Sequence, residues 1–278
     1  MYIVQCTSYV VLVKGLETDF MPPNKPATPD PARTLSLLWR HTLSPLRTRG
    51  PRPSLTVDRV VEAAITIADE QGLDAVTMRS VAQAVGASPM SVYTYVPGGK
   101  TELLDLMIDV VYLRAERPDQ GGLGWRERVL SVADQNRAIY AAHPWLIHAS
   151  TSRPPLGPGV ITKYEYELSA FDGLGLSDVE VDAALTFVLG FVQANALRAA
   201  DAAALPEATA MTDAAWWEAQ AELLGRVVDP TKFPRATRIG EAAGAAQGGA
   251  YQADAAYRFG MDRVLDGLGQ LVERQKKV

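Results

Sequence analysis

Cysteine is almost missing from this chain. Cys6 is the single example in 278 residues, so no intrachain disulfide can close and no thiolate cluster can hold a metal. Such usage suits a reducing, cytoplasmic compartment. Histidine is nearly as scarce. His41, His143 and His148 are the whole set, and the last two flank Pro144, which spoils the helical spacing of a zinc pair. No metal and no cofactor are expected. Long apolar runs are lacking too: residues 9–13 are a short run with no basic segment before them, well under the ~18–20 residues of a membrane span. Catalytic motifs fail in turn. Gly99-Lys100-Thr101 imitates the end of a phosphate-binding loop, but that loop needs glycine where Thr94 stands, and a strand before it. No Gly-x-Ser-x-Gly elbow occurs, and no two carboxylates fall in a cleft-like pattern. The chain does not read as an enzyme.

What is present is ordinary for a folded, soluble protein: 47% hydrophobic and 21% charged residues. The length suggests two domains. A net charge of −5 would disfavour nucleic acid if it were spread evenly, but residues 21–59 carry Lys25, Arg33, Arg40, Arg47, Arg49, Arg52 and Arg59 against Asp30 and Asp58. Local charge governs contact with a phosphate backbone. Residues 1–54 read as a disordered extension marked by Pro22, Pro23, Pro26, Pro29 and Pro31, with Met21 as an alternative start. Within it, RTRGPR at 47–52 cannot be helical. Its arginines Arg47, Arg49 and Arg52 form a basic arm suited to a narrow minor groove.

Residues 55–116 read as three short helices and a longer connector. The first spans about 57–71, with Thr56 as N-cap, Leu55 and Val60 as a hydrophobic staple, and Val60, Val61, Ala64, Ile65 and Ala68 on one face. Thr77 caps the second, which Gly86 ends in the left-handed region. Ser88 caps the third, with Pro89 at its first position. Ala82, Gly86, Val92 and Tyr95 follow at intervals of four, six and three, the small, turn and inward-facing positions that pack two helices steeply. Spacing alone leaves a helix-turn-helix and an ordinary helical hairpin open. The chemistry of the third helix favours the former, because Ser91, Tyr93, Thr94 and Tyr95 offer hydroxyls and aromatics to phosphates and base edges. A fourth helix, from about 101 to 114, leads toward the second domain.

The stretch VVEAAITIADEQGLDAVTMRSVAQAVGASPMSVYTYV, followed by a lysine and ELLDLM, resembles the DNA-binding domain of the tetracycline-repressor (TetR/AcrR) family. From Trp125 onward the chain resembles the ligand-binding domain of actinobacterial members, through HPW at 143–145, RPPLGP at 153–158 and the opening LSDVEVDAAL. There are two departures. Tyr95 stands where many members carry histidine or another aromatic, and Gly98-Gly99 lengthens the turn before Lys100. The resemblance implies an all-α regulator with a helix-turn-helix domain over 55–116 and a ligand-binding and dimerisation domain over 123–278. Its partners would be double-stranded operator DNA, a small apolar effector and a second copy of itself, with no membrane. By match to the family's reading positions, Arg79, Met90 and Ser91 face base edges. Thr77, Tyr93, Thr94, Tyr95 and Lys100 hold phosphates, and Ser88 also lies at the DNA. The implied activity is that of a repressor released by its effector.

Pro118, Gly121, Gly122 and Gly124 mark the boundary between the domains. Beyond it, Ser177 and Glu180 form a capping box opening a helix to about 204 that is apolar nearly all round and must be buried on several sides. The last helix, about 253–276, carries Tyr257, Met261, Val264, Leu265, Leu268, Leu271 and Val272 on one stripe. Gly260 and Gly267 each weaken it by ~1 kcal/mol, which the close approach of a neighbouring helix would offset. The resemblance makes these two helices a dimer face, through Val188, Val192, Met261, Val264, Leu265, Leu268 and Leu271. Packing on the chain's own core is the alternative. Candidate effector contacts are Trp145, Phe187, Phe191, Asn195, Trp216 and Trp217, with His143 and Arg153 as polar contributors. A domain that only dimerises would have a solid core in place of a cavity, and the regulator would be independent of ligand.

Overall fold

The computed structural model describes residues 30–43, 55–149, 153–247 and 252–275, and every regular element among them is helical. Helices α1 (Pro31–Leu38) and α2 (Arg40–Leu43) form within the extension whose prolines suggested an irregular chain. The correction has a local cause. Asp30 accepts the N–H of Arg33 at 3.1 Å, and Pro31 sits in the first turn, where its missing N–H leaves no bond unmade. Leu38 is buried, which gives the segment something to hold. Arg33 Nε and the Thr34 hydroxyl both donate to the buried carboxylate of Glu102, at 3.1 and 3.0 Å. The Trp39 indole N–H donates to the carbonyl of Leu156 at 2.8 Å, and Arg40 and His41 reach Asp58. The arm residues Arg47, Arg49 and Arg52 lie outside the described residues.

Helix α3 (Val57–Gln71) begins where Thr56 accepts the Arg59 N–H and buries Val60, Val61, Ala64, Ile65 and Ala68. In α4 (Met78–Ala84) the cap is reciprocal: the Thr77 hydroxyl accepts the Ser80 N–H at 3.0 Å, and Ser80 Oγ accepts the Thr77 N–H at 2.9 Å. Gly86 takes φ +69°, and the chain turns into α5 (Pro89–Tyr95) through the Ser88 cap. Ala82, Val92 and Val96 are sealed beneath the turn.

Helix α6 (Gly99–Arg114) starts two residues before the expected Thr101, because the Glu102 carboxylate reaches back to accept the Gly98 N–H at 2.8 Å. Leu103, Leu106, Met107 and Val111 bury it on more than one side. After α7 (Trp125–Ala142) and a 3-10 turn (Pro144–His148), the chain enters α8 (Pro158–Ser169) lying directly on α6. A side chain at Gly159 would meet the Asp109 backbone oxygen at 1.9 Å, so only glycine fits there. Asp109 Oδ1 accepts the Val160 N–H at 2.9 Å and thereby caps α8 from the neighbouring helix. Burial pushes the Asp109 carboxyl up, and the N–H bonds from Val160 and Gly159 pull against that.

Helix α9 (Asp178–Thr209) opens at the Ser177–Glu180 capping box and runs on past Pro206, further than expected. It packs on α7, α8 and α12 (Ala253–Gln275). By length and composition alone the helix over Asp178–Glu207 is long and apolar enough to cross a membrane. A search for uninterrupted apolar runs passes over it, since Asp182, Arg198 and Asp201 interrupt the run. Within this bundle Lys163 Nζ donates to Glu167 at 2.5 Å, and Asn136 donates to the same oxygen at 2.6 Å, all three side chains being buried. Helices α10 (Asp213–Val227) and α11 (Pro234–Gln247) lie outside the bundle, with most of their described side chains exposed.

Candidate nucleic-acid interface and effector domain

Helix α5 shows one face to solvent because Val92 anchors the other. Residues at i, i+3 and i+4 share a face, and Met90, Tyr93 and Thr94 are all exposed, Met90 at 76%. Ser91 is half-buried; its backbone N–H donates to Ser88 Oγ at 3.1 Å, and the two hydroxyls lie 2.9 Å apart. Tyr95 turns partly inward against the core. Arg79 stands exposed on α4, beside the capping hydroxyl of Thr77. Lys100 donates to the carbonyl of Leu73 at 2.8 Å, which uses one of its three N–H groups and steadies the turn before α4. The surface is therefore a short helix presenting a thioether, a phenol and a hydroxyl, flanked by two cations. That combination can contact base edges and phosphates and has no nucleophile–base pair.

Comparison with known proteins places this geometry. Residues 60–107 match the tetR family of bacterial regulatory proteins, and residues 117–272 match the Tetracyclin repressor-like C-terminal domain. The chain belongs to the tetR family. It is a helix-turn-helix transcription regulator, not an enzyme. It is 40% identical over 249 residues to the HTH-type transcriptional repressor DrrR1 of Streptomyces coeruleorubidus, covering 89% of this chain and 88% of that protein. Among solved structures it is similar to apo ActR of Streptomyces coelicolor, with TM-score 0.66 and 27% identity over 81% of this chain and 99% of that one. ActR in complex with actinorhodin gives TM-score 0.65 and 28% identity, covering 78% and 96%.

In this tetR-family chain the expected effector residues do not gather in one place. His143 and Trp145 belong to the junction between the domains. The buried Trp145 donates its indole N–H to Asp69 Oδ1 on α3 at 2.7 Å. His143 Nδ1 lies 2.8 Å from the same oxygen and must carry the proton, because a carboxylate only accepts. Phe191 stacks on Tyr257, with ring centroids 6.0 Å apart. Asn195 is buried, whereas Phe187, Trp216 and Trp217 are exposed, the two tryptophans edge to face with each other. Arg153 is exposed. Sequence reasoning missed Asp69, Glu102, Gln135 and the Lys163–Glu167 pair. An i, i+4 Lys–Glu pair ordinarily marks a solvated face, and nothing in its spacing reveals burial.

The residues expected at a dimer face are placed differently too. Val188, Val192, Met261, Val264, Leu265 and Leu268 are all buried within one protomer, and Leu271 is half-buried. Side chains already enclosed add little area to a second contact. Periodicity identifies a face that is covered, not what covers it. Gly260 behaves as expected, since a Cβ there would strike the Phe191 ring at 2.4 Å, but Gly267 opens onto free space.

Proposed function

We propose that the chain is a homodimeric repressor of the bacterial cytoplasm, bound to the nucleoid at a palindromic operator and released by a small, mostly apolar effector. One observation carries this reading: α6 is continuous from the helix-turn-helix into the second domain, where Asp109 joins it to α8. A ligand that moves the bundle therefore moves the recognition helices. Arg79, Met90 and Ser91 would read bases, while Thr77, Ser88, Tyr93, Thr94, Tyr95 and Lys100 would hold the backbone, helped by the arm at 47–52. ActR, solved in complex with actinorhodin, offers the parallel.

The second copy would pack on the exposed stripe of α9, where Val179, Ala183, Phe187, Gly190, Ala194 and Leu197 recur at helical spacing. A two-fold dimer then presents two copies of α5 to successive major grooves about 34–36 Å apart, or a multiple of that. The test is a thermal-shift screen of metabolites and antibiotics, followed by operator affinity with each hit. A coupling of ~1–3 kcal/mol would weaken operator binding about 5–150-fold. If every stabilising hit left operator affinity unchanged, the ligand-independent regulator would replace this reading.

A further inference from the structure

We propose that Arg33 of α1 is a positioning residue for operator binding: acting through the buried Glu102, it neutralises and holds the glycine turn from which α6 starts. The proposal rests on the reading above that the start of α6 meets the operator backbone.

The turn creates the need. Gly98 has no side chain with which to cap α6, and the Glu102 carboxylate caps it instead, accepting the Gly98 N–H at 2.8 Å. A Cβ at Gly98 would lie 2.7 Å from the Glu102 Cβ, and Gly99 takes φ +67°, so both glycines serve this seat. The lengthened turn before Lys100 is thus built around a carboxylate. A helix N-terminus favours phosphate, yet here an acid only 2% exposed sits beneath it. Left uncompensated, that acid would repel the backbone it must help to bind.

Tyr93 of α5 shares a cleft with Lys100, so the recognition face opens onto this cluster. Three carboxylates, those of Asp30, Glu102 and Asp105, line the cleft against two cations, Arg33 and Lys100. Burial, and then the charge of Glu102, push the Asp105 carboxyl up, so the field of Glu102 reaches its neighbours. Lys100 is turned to the carbonyl of Leu73. The cation placed on Glu102 is Arg33, whose Nε donates to Oε1 at 3.1 Å beside the Thr34 hydroxyl at 3.0 Å. Asp30 lies farther from the guanidinium, at 3.9 Å, and half exposed, where water screens it. The other end of the segment is held separately, by buried Leu38, by Trp39 on the Leu156 carbonyl and by Arg40 on Asp58. Those contacts keep α1 docked when Arg33 is changed.

The test measures operator affinity of the full chain at several salt concentrations, on a duplex recovered by site-library selection with wild type. Arg33→Ala should weaken binding about 10-fold at 50 mM salt and only about 2–3-fold at 200 mM, a salt slope shallower by about one. Arg33→Lys, which restores the cation, should return affinity to within about twofold of wild type. In a Glu102→Gln background, where no charge remains to neutralise, adding Arg33→Ala should cost less than about twofold, because two residues acting through one contact are not additive. Wild-type affinity and slope in Arg33→Ala would overturn the proposal. So would an equal loss in the Glu102→Gln background, which would make Arg33 a direct DNA contact, and so would a loss independent of salt, which would make it merely structural. Lys100→Ala separates the two readings. A silent Lys100→Ala beside an active, Glu102-dependent Arg33→Ala removes Lys100 from the phosphates and keeps Arg33; the reverse keeps Lys100 and sinks Arg33.

Discussion

Replacing Asp69 by alanine tests whether the head and the bundle are tied where Trp145 meets α3. Asp69 Oδ1 accepts from two side chains, the Trp145 indole at 2.7 Å and His143 at 2.8 Å. The two losses differ in kind. His143 is part-exposed and can turn to water, whereas Trp145 is 3% exposed and its N–H has Asp69 as its one acceptor among the described residues. Leaving such a donor unpaired, together with losing a bond to a charged partner, should cost about 2 kcal/mol. For a protein of this size that lowers Tm by about 4–8 °C. Asp69→Asn keeps an oxygen for the indole but not the charge, and should lose roughly half as much. Thermal unfolding followed by circular dichroism gives the stability. Fluorescence anisotropy on an operator duplex, with and without an effector found by screening, gives the coupling. Asp69→Ala should still bind operator, but the effector should shift its affinity less than in wild type. If Asp69→Ala melted with wild type and responded fully to effector, the tie would be incidental and the coupling would run through α6 alone.

Arg79→Ala should weaken operator binding by roughly 1–3 kcal/mol and relax preference at one base pair in a site-library selection, whereas Lys100→Ala should weaken all sequences alike and shallow the salt slope by about one. Phe187→Asp, on a side chain 56% exposed, should give a folded monomer by sedimentation, while Val188→Asp, on a fully buried neighbour, should fail to fold. Docking of α1 and α2 should survive at neutral pH and fail in acid. Burial raises the Asp58 carboxyl, but the hydrogen bonds and charges of Arg40 and His41 outweigh it, so its folded value lies below 3.8. A depressed carboxyl contributes stability above its unfolded value and loses it as pH falls through the folded one. Trp39 fluorescence should therefore hold steady down to about pH 4 and change only below it; a transition near neutrality would refute the assignment.

Local chemistry was legible and distant pairing was not. Thr56, Thr77, Ser88 and Ser177 were readable as caps because cap and N–H lie three residues apart, within one turn. Gly86 was readable because its position demands positive φ. Pro31 misled: among other prolines it looked like a breaker, yet after Asp30 it starts a helix. Asp69 and Trp145 are 76 residues apart, and Arg33 and Glu102 are 69 apart, so no short-range pattern announces either pair. The apolar stripes of α9 and α12 showed which sides were covered. Whether a sister helix or a second chain covers them depends on the three-dimensional path, and most of the expected dimer residues went to the sister helix.

The contact of Gly159 with the backbone of α6 also has a mechanical consequence. With no side chain between them, and with Asp109 bonded to the Val160 N–H, α6 and the start of α8 cannot slide past one another and must travel as a single beam. A beam welded at its far end has to pivot at its near one. Motion between head and bundle is then confined to the seam along α3, where side chains rather than interlocked backbones make the joint. Glu62–Arg114 is the clearest of these. Substitutions along that seam should tune how far the head swings, whereas any side chain added at Gly159 should break the weld itself.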